Sequence, residues 1–353
     1  MTARQRSIMA RLPTYKAGQR AEPGGHKLSS NENPYGPLPS VVDAVMRSAS
    51  QMNRYPDPTS ADLVAALADR HGVDPDWIAV GCGSVAVCEQ VVSAVAGHGD
   101  EVIFPWPSFE AYPIITGVAG ATAVPIPLDA GYRQDLVAAA EAVTPATRCI
   151  FVCTPNNPTG TIATTDEVLA LLDAVPPDVL VVLDEAYAEF VDDPAAVNGL
   201  DLLADHPRLA VLRTFSKAYG LAGLRVGYAV AHPAIAESLR KTAIPFGVSV
   251  VAHDAAIASL AAEDELLARV RALQDERARV RDELQAAGWS LPDPQGNFVW
   301  LPTGDRTSEV VAALAQAGIV ARAFPGVGLR ITVADPVAND ALLDTLTRLG
   351  PGQ

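Results

Sequence analysis

The sequence predicts an α/β protein, a large domain with a mainly parallel sheet followed by a smaller α+β domain. Between about residue 60 and residue 245, short apolar runs alternate with segments of helical periodicity. That alternation is the mark of strands joined by crossover helices. Pro245-Phe246-Gly247 interrupts the pattern, and a long helical stretch and a few short apolar runs follow. At 353 residues the chain exceeds one ordinary core, and roughly 150 residues per domain gives two. The chain divides accordingly into an N-terminal arm (1–28), a large domain (29–247) and a small C-terminal domain (248–353).

Taken in order, residues 1 to 40 are rich in Pro and Gly, and Asn31-Glu32-Asn33-Pro34-Tyr35-Gly36-Pro37 reads as an ordered loop. Strands are expected at Ile78–Val80, Val102–Phe104, Ala123–Ile126, Cys149–Cys153, Val179–Leu183, Leu209–Leu212 and Val226–Val230, and helices at Asp62–His71, Val85–Ala96, Asp166–Ala174 and Ala234–Lys241. From Ala252 to Ala287 one amphipathic helix is expected, with Leu266, Val270, Leu273, Val280 and Leu284 on its apolar face. Strands near Phe298–Leu301, Ile319–Arg322 and Gly328–Val333 complete the small domain.

A formal charge of −15 argues against nucleic-acid binding or a polybasic membrane contact. An anionic ligand would have to meet locally placed arginines. The N-terminal residues carry arginines without an apolar core, so no signal peptide is expected. No apolar run reaches the roughly 18 residues of a membrane span, and a cytoplasmic protein without membrane or nucleic-acid partners is expected. Cys82, Cys88, Cys149 and Cys153 form no C-x-x-C pair and read as buried free thiols. The six histidines lack ligand spacing, so no metal site is expected.

Thr214-Phe215-Ser216-Lys217 follows the apolar run Leu209–Leu212 and leads into Gly220, Gly223 and Arg225. Desolvation at a buried strand end lowers the pKa of a lysine, which suits a neutral nucleophile that forms a Schiff base. A hydroxyl, glycine amides and an arginine nearby suit a phosphate monoester. Lysine and phosphate site together point to pyridoxal 5′-phosphate (PLP), although a surface lysine in a Gly-rich loop would share the motif.

Gly81-Cys82-Gly83-Ser84 opens the Val85 helix, where free N–H groups favour an anion. The stretch also fits the dinucleotide fingerprint, which makes a nicotinamide-dependent dehydrogenase the rival reading. Its expected ribose-binding acid is misplaced: Asp100 and Glu101 precede the next strand instead of ending it. Asp184 ends the run Val179–Leu183, where a carboxylate can keep a pyridine nitrogen protonated or simply cap a helix. The turn Thr154-Pro155-Asn156-Asn157-Pro158 is restrained by two prolines. An asparagine there could donate to a phenolate oxygen, or serve only the turn.

Asn156-Asn157-Pro158-Thr159-Gly160, Asp184-Glu185-Ala186-Tyr187, Ser216-Lys217 and Gly223-Leu224-Arg225 resemble the aspartate-aminotransferase-type (fold type I) PLP enzymes. With Ser30-Asn31-Glu32-Asn33-Pro34 and Arg54-Tyr55-Pro56-Asp57, the chain resembles the histidinol-phosphate aminotransferase branch. Within that branch it is most similar to the aromatic (phenylalanine) aminotransferases of actinobacteria.

The resemblance implies an aspartate-aminotransferase-like fold and a homodimeric transaminase acting on amino acids and keto acids. It assigns Lys217 the covalent link and the proton shuttle, Asp184 the pyridine nitrogen, and Asn157 and Tyr187 the ring hydroxyl. Gly83, Ser84, Ser216 and Arg225 would hold the phosphate, Phe109 would stack on the ring, and Tyr55 would reach the partner subunit's phosphate. Arg330 would clamp the substrate carboxylate, with Arg322, Asn33 and Tyr15 as further substrate contacts. Histidinol-phosphate aminotransferases usually carry Ser-Asp-Glu where this chain has Ser84-Val85-Ala86. That departure favours phenylalanine, tyrosine or tryptophan as donors to a 2-oxo acid such as 2-oxoglutarate. Histidinol phosphate is the alternative substrate, and a PLP decarboxylase is a less favoured reaction. A non-catalytic regulator is disfavoured, because every expected site residue is present.

Overall fold

The computed structural model describes Ala3, residues 5–15 and residues 18–352. The first strand, β1 (His26–Leu28), belongs to the smaller of two sheets. The larger sheet holds β2 (Ile78–Gly81), β3 (Glu101–Trp106), β4 (Thr122–Pro127), β5 (Thr147–Cys153), β6 (Leu180–Asp184), β7 (Leu209–Thr214) and β8 (Gly227–Ala231). Their order across the sheet is β2-β8-β7-β6-β5-β3-β4. All neighbours run parallel except β8, which is antiparallel to both β2 and β7. Every residue of β6 is buried, as expected for a central parallel strand covered on both faces.

Alternation along the strands divides the core between the two faces. Ile150, Val152, Val181, Leu183 and Val211 face one layer with α1 (Pro39–Ala49), α2 (Ala61–His71) and others. Cys149, Phe151, Leu180, Val182 and Leu212 face the other, covered by α3 (Ser84–Val95), α4 (Tyr112–Ala119) and, further along the chain, the helix Pro233–Thr242. The first layer also receives α5 (Leu136–Glu141) and α6 (Thr165–Ala174). A capping box fixes the start of α6: Thr164 accepts from Glu167 N while Glu167 accepts from Thr164 N. The sequence does not assign β1, α1, α4 or α5, nor the later helices Thr307–Gln316 and Pro336–Leu349. β1 is three residues long, α4 reads apolar on most sides, and α5 has fewer than two turns.

After α7 (Pro233–Thr242), the expected single helix is two: α8 (Val250–Ala261) and α9 (Glu263–Ala286). Ala262 leaves helical geometry (φ −109°, ψ 24°), and Glu263 is held there by Arg70 at 2.7 Å and the Tyr219 hydroxyl at 2.8 Å. The two helices meet different layers: α8 packs beneath the large sheet, whereas Val280 and Leu284 of α9 enter the core of the small one. An alanine at the break leaves helical periodicity undisturbed, so the sequence shows no interruption.

The small sheet adds β9 (Phe298–Leu301), β10 (Ile319–Phe324) and β11 (Gly328–Thr332), in the order β1-β10-β11-β9. α10 (Thr307–Gln316) and α11 (Pro336–Leu349) cover it with Val310, Leu314, Leu342 and Leu346. Among the described residues no helix is long and apolar enough to cross a membrane.

Arg277 on α9 ties these parts together. Its buried guanidinium donates to the carbonyls of Phe190 (2.7 Å) and Gly296 (3.2 Å), and to Asp192 (2.7 Å). Arg277→Ala leaves those carbonyls short of a donor and should cost about 2 kcal/mol or more, read as a lower urea midpoint. Asp192→Ala should shift the midpoint far less, because the Asp192 side chain is 53% exposed.

Candidate active site

Parallel pairing sets the C-terminal ends of the central strands side by side. Cys153 lies opposite Asp184, and Asp184 opposite Leu212. The segments leaving those ends carry Asn157, Tyr187, Ser216 and Lys217, where ligands of open α/β sheets bind. Across from them stands the β10–β11 hairpin, with Arg322 and Arg330 as direct cross-strand partners. Such partners project from the same face of a sheet. Between these walls lies a cavity of about 320 Å³ whose lining includes Lys217, Asp184, Asn157, Tyr187, Arg322 and Arg330.

Asp184 is buried, and its Oδ2 accepts from the Tyr112 hydroxyl at 2.7 Å. Its Oδ1 has no partner among the described residues. Burial raises the Asp184 pKa, opposed by the Tyr112 hydrogen bond. An ionised carboxylate here therefore calls for a donor or cation from the cavity.

Lys217 is also enclosed. Its Nζ donates to the Ser30 carbonyl (3.1 Å) and the Asn31 carbonyl (3.4 Å) and forms no ion pair among the described residues. Burial, and next the charge of Arg330, bring its pKa down to about 7. An amine so placed is available as a nucleophile and proton acceptor near neutral pH.

The two arginines differ sharply. Arg330 is buried, and it donates to two neutral acceptors, Asn157 Oδ1 (2.5 Å) and the Ser29 carbonyl (2.6 Å). Its Nε finds no partner among the described residues, and desolvation lowers its pKa. Arg322 is already neutralised: its Nε and Nη2 reach both oxygens of Glu110 at 2.6–3.0 Å. Because Arg330 engages the Asn157 oxygen, the Asn157 amide nitrogen is left as its donor group.

Ser84, Ser216 and Arg225 line the cavity, whereas Gly83, next to Ser84, does not. Gly83 adopts φ 81°, and a Cβ there would overlap the Arg225 guanidinium. Gly227 admits no Cβ either, since one would lie 2.5 Å from Ser84 N. Both glycines let the backbone close around the N-terminus of α3. Arg225 itself has φ 60° and donates to Ser216 Oγ at 3.3 Å. On the dehydrogenase reading β3 would end in an acid, but Glu101 opens it and Trp106 closes it.

Phe109 and Tyr15 line the same cavity, their rings edge to face at 6.5 Å. Asn33 does not line it. Its amide donates to the Ala218 carbonyl (2.9 Å), next to Lys217, and its oxygen accepts from Tyr35 N (3.0 Å) within its own loop, so both polar ends are already used. Tyr55 is not part of the lining; it is 83% exposed, its ring tilted 33° against that of Phe246 at 4.7 Å. Sequence reasoning missed Tyr112, Glu110 and Asn31 as site residues. Asn31 donates to the Tyr187 hydroxyl at 2.9 Å, and burial raises the Tyr187 pKa. Asparagine's tolerance of positive φ is the one local signal for Asn31; Glu110 and Tyr112 show their partners only when the chain is folded.

Comparison with known proteins agrees with this geometry. The family model described as "Aminotransferase class I and II" matches residues 24–346. The chain is 54% identical over 346 residues to the aromatic amino acid aminotransferase of Streptomyces avermitilis, covering 97% of this chain and 96% of that one. It is 51% identical over 352 residues to the enzyme of the same name from Cutibacterium acnes, covering 100% of both. Among solved structures, histidinol-phosphate aminotransferase from Sinorhizobium meliloti in complex with pyridoxal-5′-phosphate superposes with a TM-score of 0.89 at 30% identity, covering 99% of this chain and 98% of that one. This chain, with its lysine, carboxylate and arginines gathered at the strand ends, belongs to the class I and II aminotransferase family.

Proposed function

We propose that the cavity holds pyridoxal 5′-phosphate and that the chain transfers amino groups from phenylalanine, tyrosine or tryptophan to a 2-oxo acid such as 2-oxoglutarate. The observation that carries this reading is Lys217, an enclosed amine without an anionic partner among the described residues, with its pKa near 7. The residues fit that cofactor. The unpartnered Asp184 Oδ1 suits a protonated pyridine nitrogen, and the Asn157 amide and Tyr187 hydroxyl suit the ring oxygen. The part of the cavity lined by Ser84, Ser216 and Arg225 suits the phosphate.

When bound, the cofactor serves as the sink for the electron pair released at the substrate Cα. Lys217 would hold the cofactor through its aldehyde carbon, and its amine would carry the proton taken from the substrate Cα. Arg330 holds the α-carboxylate, which supplies the negative charge that its present neutral acceptors lack. Phe109, Tyr15 and Val85 offer an apolar wall to a flat side chain. The relatives above 50% identity are named for aromatic substrates, while the histidinol-phosphate alternative draws on a solved structure at 30%. The subunits are further proposed to pair as a homodimer, with Tyr55 completing the partner's cavity. Exposed Tyr55, Met52, Ile244 and Phe246 supply an apolar surface for that pairing.

Reduction with borohydride should fix the cofactor on Lys217, located by mass spectrometry, and an unmodified Lys217 in active enzyme would refute the assignment. The same lysine makes stability depend on pH. Its folded pKa is about 7 against an ordinary 10.5, so the unfolded chain holds the extra proton between those values and stability rises with pH across that window. Lys217→Met should therefore stabilise the cofactor-free protein most at or below about pH 7, with the advantage fading as pH approaches the ordinary lysine value.

For substrate choice, kcat/KM should favour phenylalanine over histidinol phosphate. Arg330→Ala should lower kcat/KM for every α-amino acid on the order of 100- to 1,000-fold. A preference for histidinol phosphate would overturn the aromatic assignment. For assembly, mixing Lys217→Ala and Tyr55→Ala proteins should restore activity through hybrid dimers, each with one intact site. Full activity in a monomer, measured by sedimentation, rules out the shared site.

A further inference from the structure

Arg322 and Arg330 are direct neighbours across the β10–β11 hairpin, both line the cavity, and among the described residues only Arg322 of the two carries a carboxylate partner. That partner, Glu110, follows Phe109 in the segment between β3 and α4, so the ion pair joins the two walls of the cavity. The contact is bidentate, with Nε at 3.0 Å from one oxygen and Nη2 at 2.7 and 2.6 Å from the two. The Arg322 side chain is 16% exposed and that of Glu110 35%. Glu110 therefore keeps access to water, and can regain hydration when it lets go.

We propose that Glu110 sets the balance between aromatic and acidic substrates by occupying Arg322 as an internal counter-ion. The proposal rests on the aminotransferase reading with Arg330 at the α-carboxylate. An apolar ring beside a free, partly desolvated guanidinium would strip that cation of water without replacing it. Beside a neutralised pair the same ring meets no net charge. A substrate with a second carboxylate meets the opposite situation: its distal carboxylate can take the place of Glu110 on the same fork of N–H donors. One carboxylate replaces another, and the outgoing one returns to water. The exchange lets one cavity accept phenylalanine in one half-reaction and a dicarboxylic keto acid in the other, while limiting affinity for the dicarboxylate.

A merely structural bridge between the walls would make a different prediction, since its loss would weaken all substrates together. Glu110→Gln keeps the size of the side chain and removes its charge. It should raise the ratio of kcat/KM for glutamate to that for phenylalanine about tenfold, chiefly through a lower glutamate KM and a higher phenylalanine KM. In an Arg322→Gln background the same substitution should leave the ratio unchanged.

Calorimetry on the holoenzyme supplies the reading independent of turnover. Glutarate should bind more tightly to Glu110→Gln than to the wild type, and 3-phenylpropionate more weakly. An unchanged ratio, a parallel loss for both substrates, or a shift that persists without Arg322 would overturn the proposal. If the wild type transaminates neither amino acid, the functional reading fails, while the two calorimetric titrations still decide what Glu110 does to Arg322.

Discussion

Asn31 is wholly buried and held in the left-handed region at φ 52°. Its backbone N donates to Thr332 Oγ1 (2.9 Å), Thr332 donates back to its Oδ1 (3.1 Å), and its Nδ2 donates to the Tyr187 hydroxyl (2.9 Å). Its carbonyl accepts from Asn297 (3.2 Å) and Lys217 (3.4 Å). A buried amide is tolerable only when its polar atoms find partners. Those partners come from the small sheet, from the segment after β6 and from the lysine itself, so satisfying one side chain requires all of them to be in register. The backbone strain at Asn31 is compensated by that network, and the position of Tyr187 and Lys217 depends on it.

The cavity opposes the charge of the whole molecule. The chain carries a formal charge of −15, yet Lys217, Arg225, Arg322 and Arg330 converge on one space faced, among the described residues, by only three acids, Glu32, Glu110 and Asp184. Short-range placement in a region of low dielectric outweighs a distant field screened by salt. The same logic explains why the two arginines of one hairpin behave differently. One finds a carboxylate within the chain, while the other, among the described residues, is given only an amide oxygen and a carbonyl.

Much of this could be read before folding. Continuous apolar runs marked β5, β6 and β7, because strands buried on both faces need them, and the polar residues just past each run proved to line the cavity. Lys217, Asp184 and Asn157 were visible for that reason. Tyr112 and Glu110 were not, because their roles come from contacts across 72 and 212 residues of chain. Asn33 illustrates the converse. It stands in the same motif as Asn31, yet a two-residue offset turns one asparagine to Tyr187 at the cavity and the other to the Ala218 carbonyl outside its lining. The break at Ala262 was equally invisible, since alanine favours a helix wherever tertiary contacts permit one.

Gly83 and Gly227 pack behind Ser84 and Arg225, which line one end of the cavity, so closely that a single added carbon at either glycine collides with the chain. The other end is bounded by Glu110 and Arg322, two side chains in contact with water. Heritable change therefore meets unequal resistance along one cavity. The steric end must be altered by several coordinated substitutions or not at all, whereas single substitutions at the open end can be accommodated by solvent. A lineage built on this scaffold can drift in what it accepts without passing through a form that has lost its anchor.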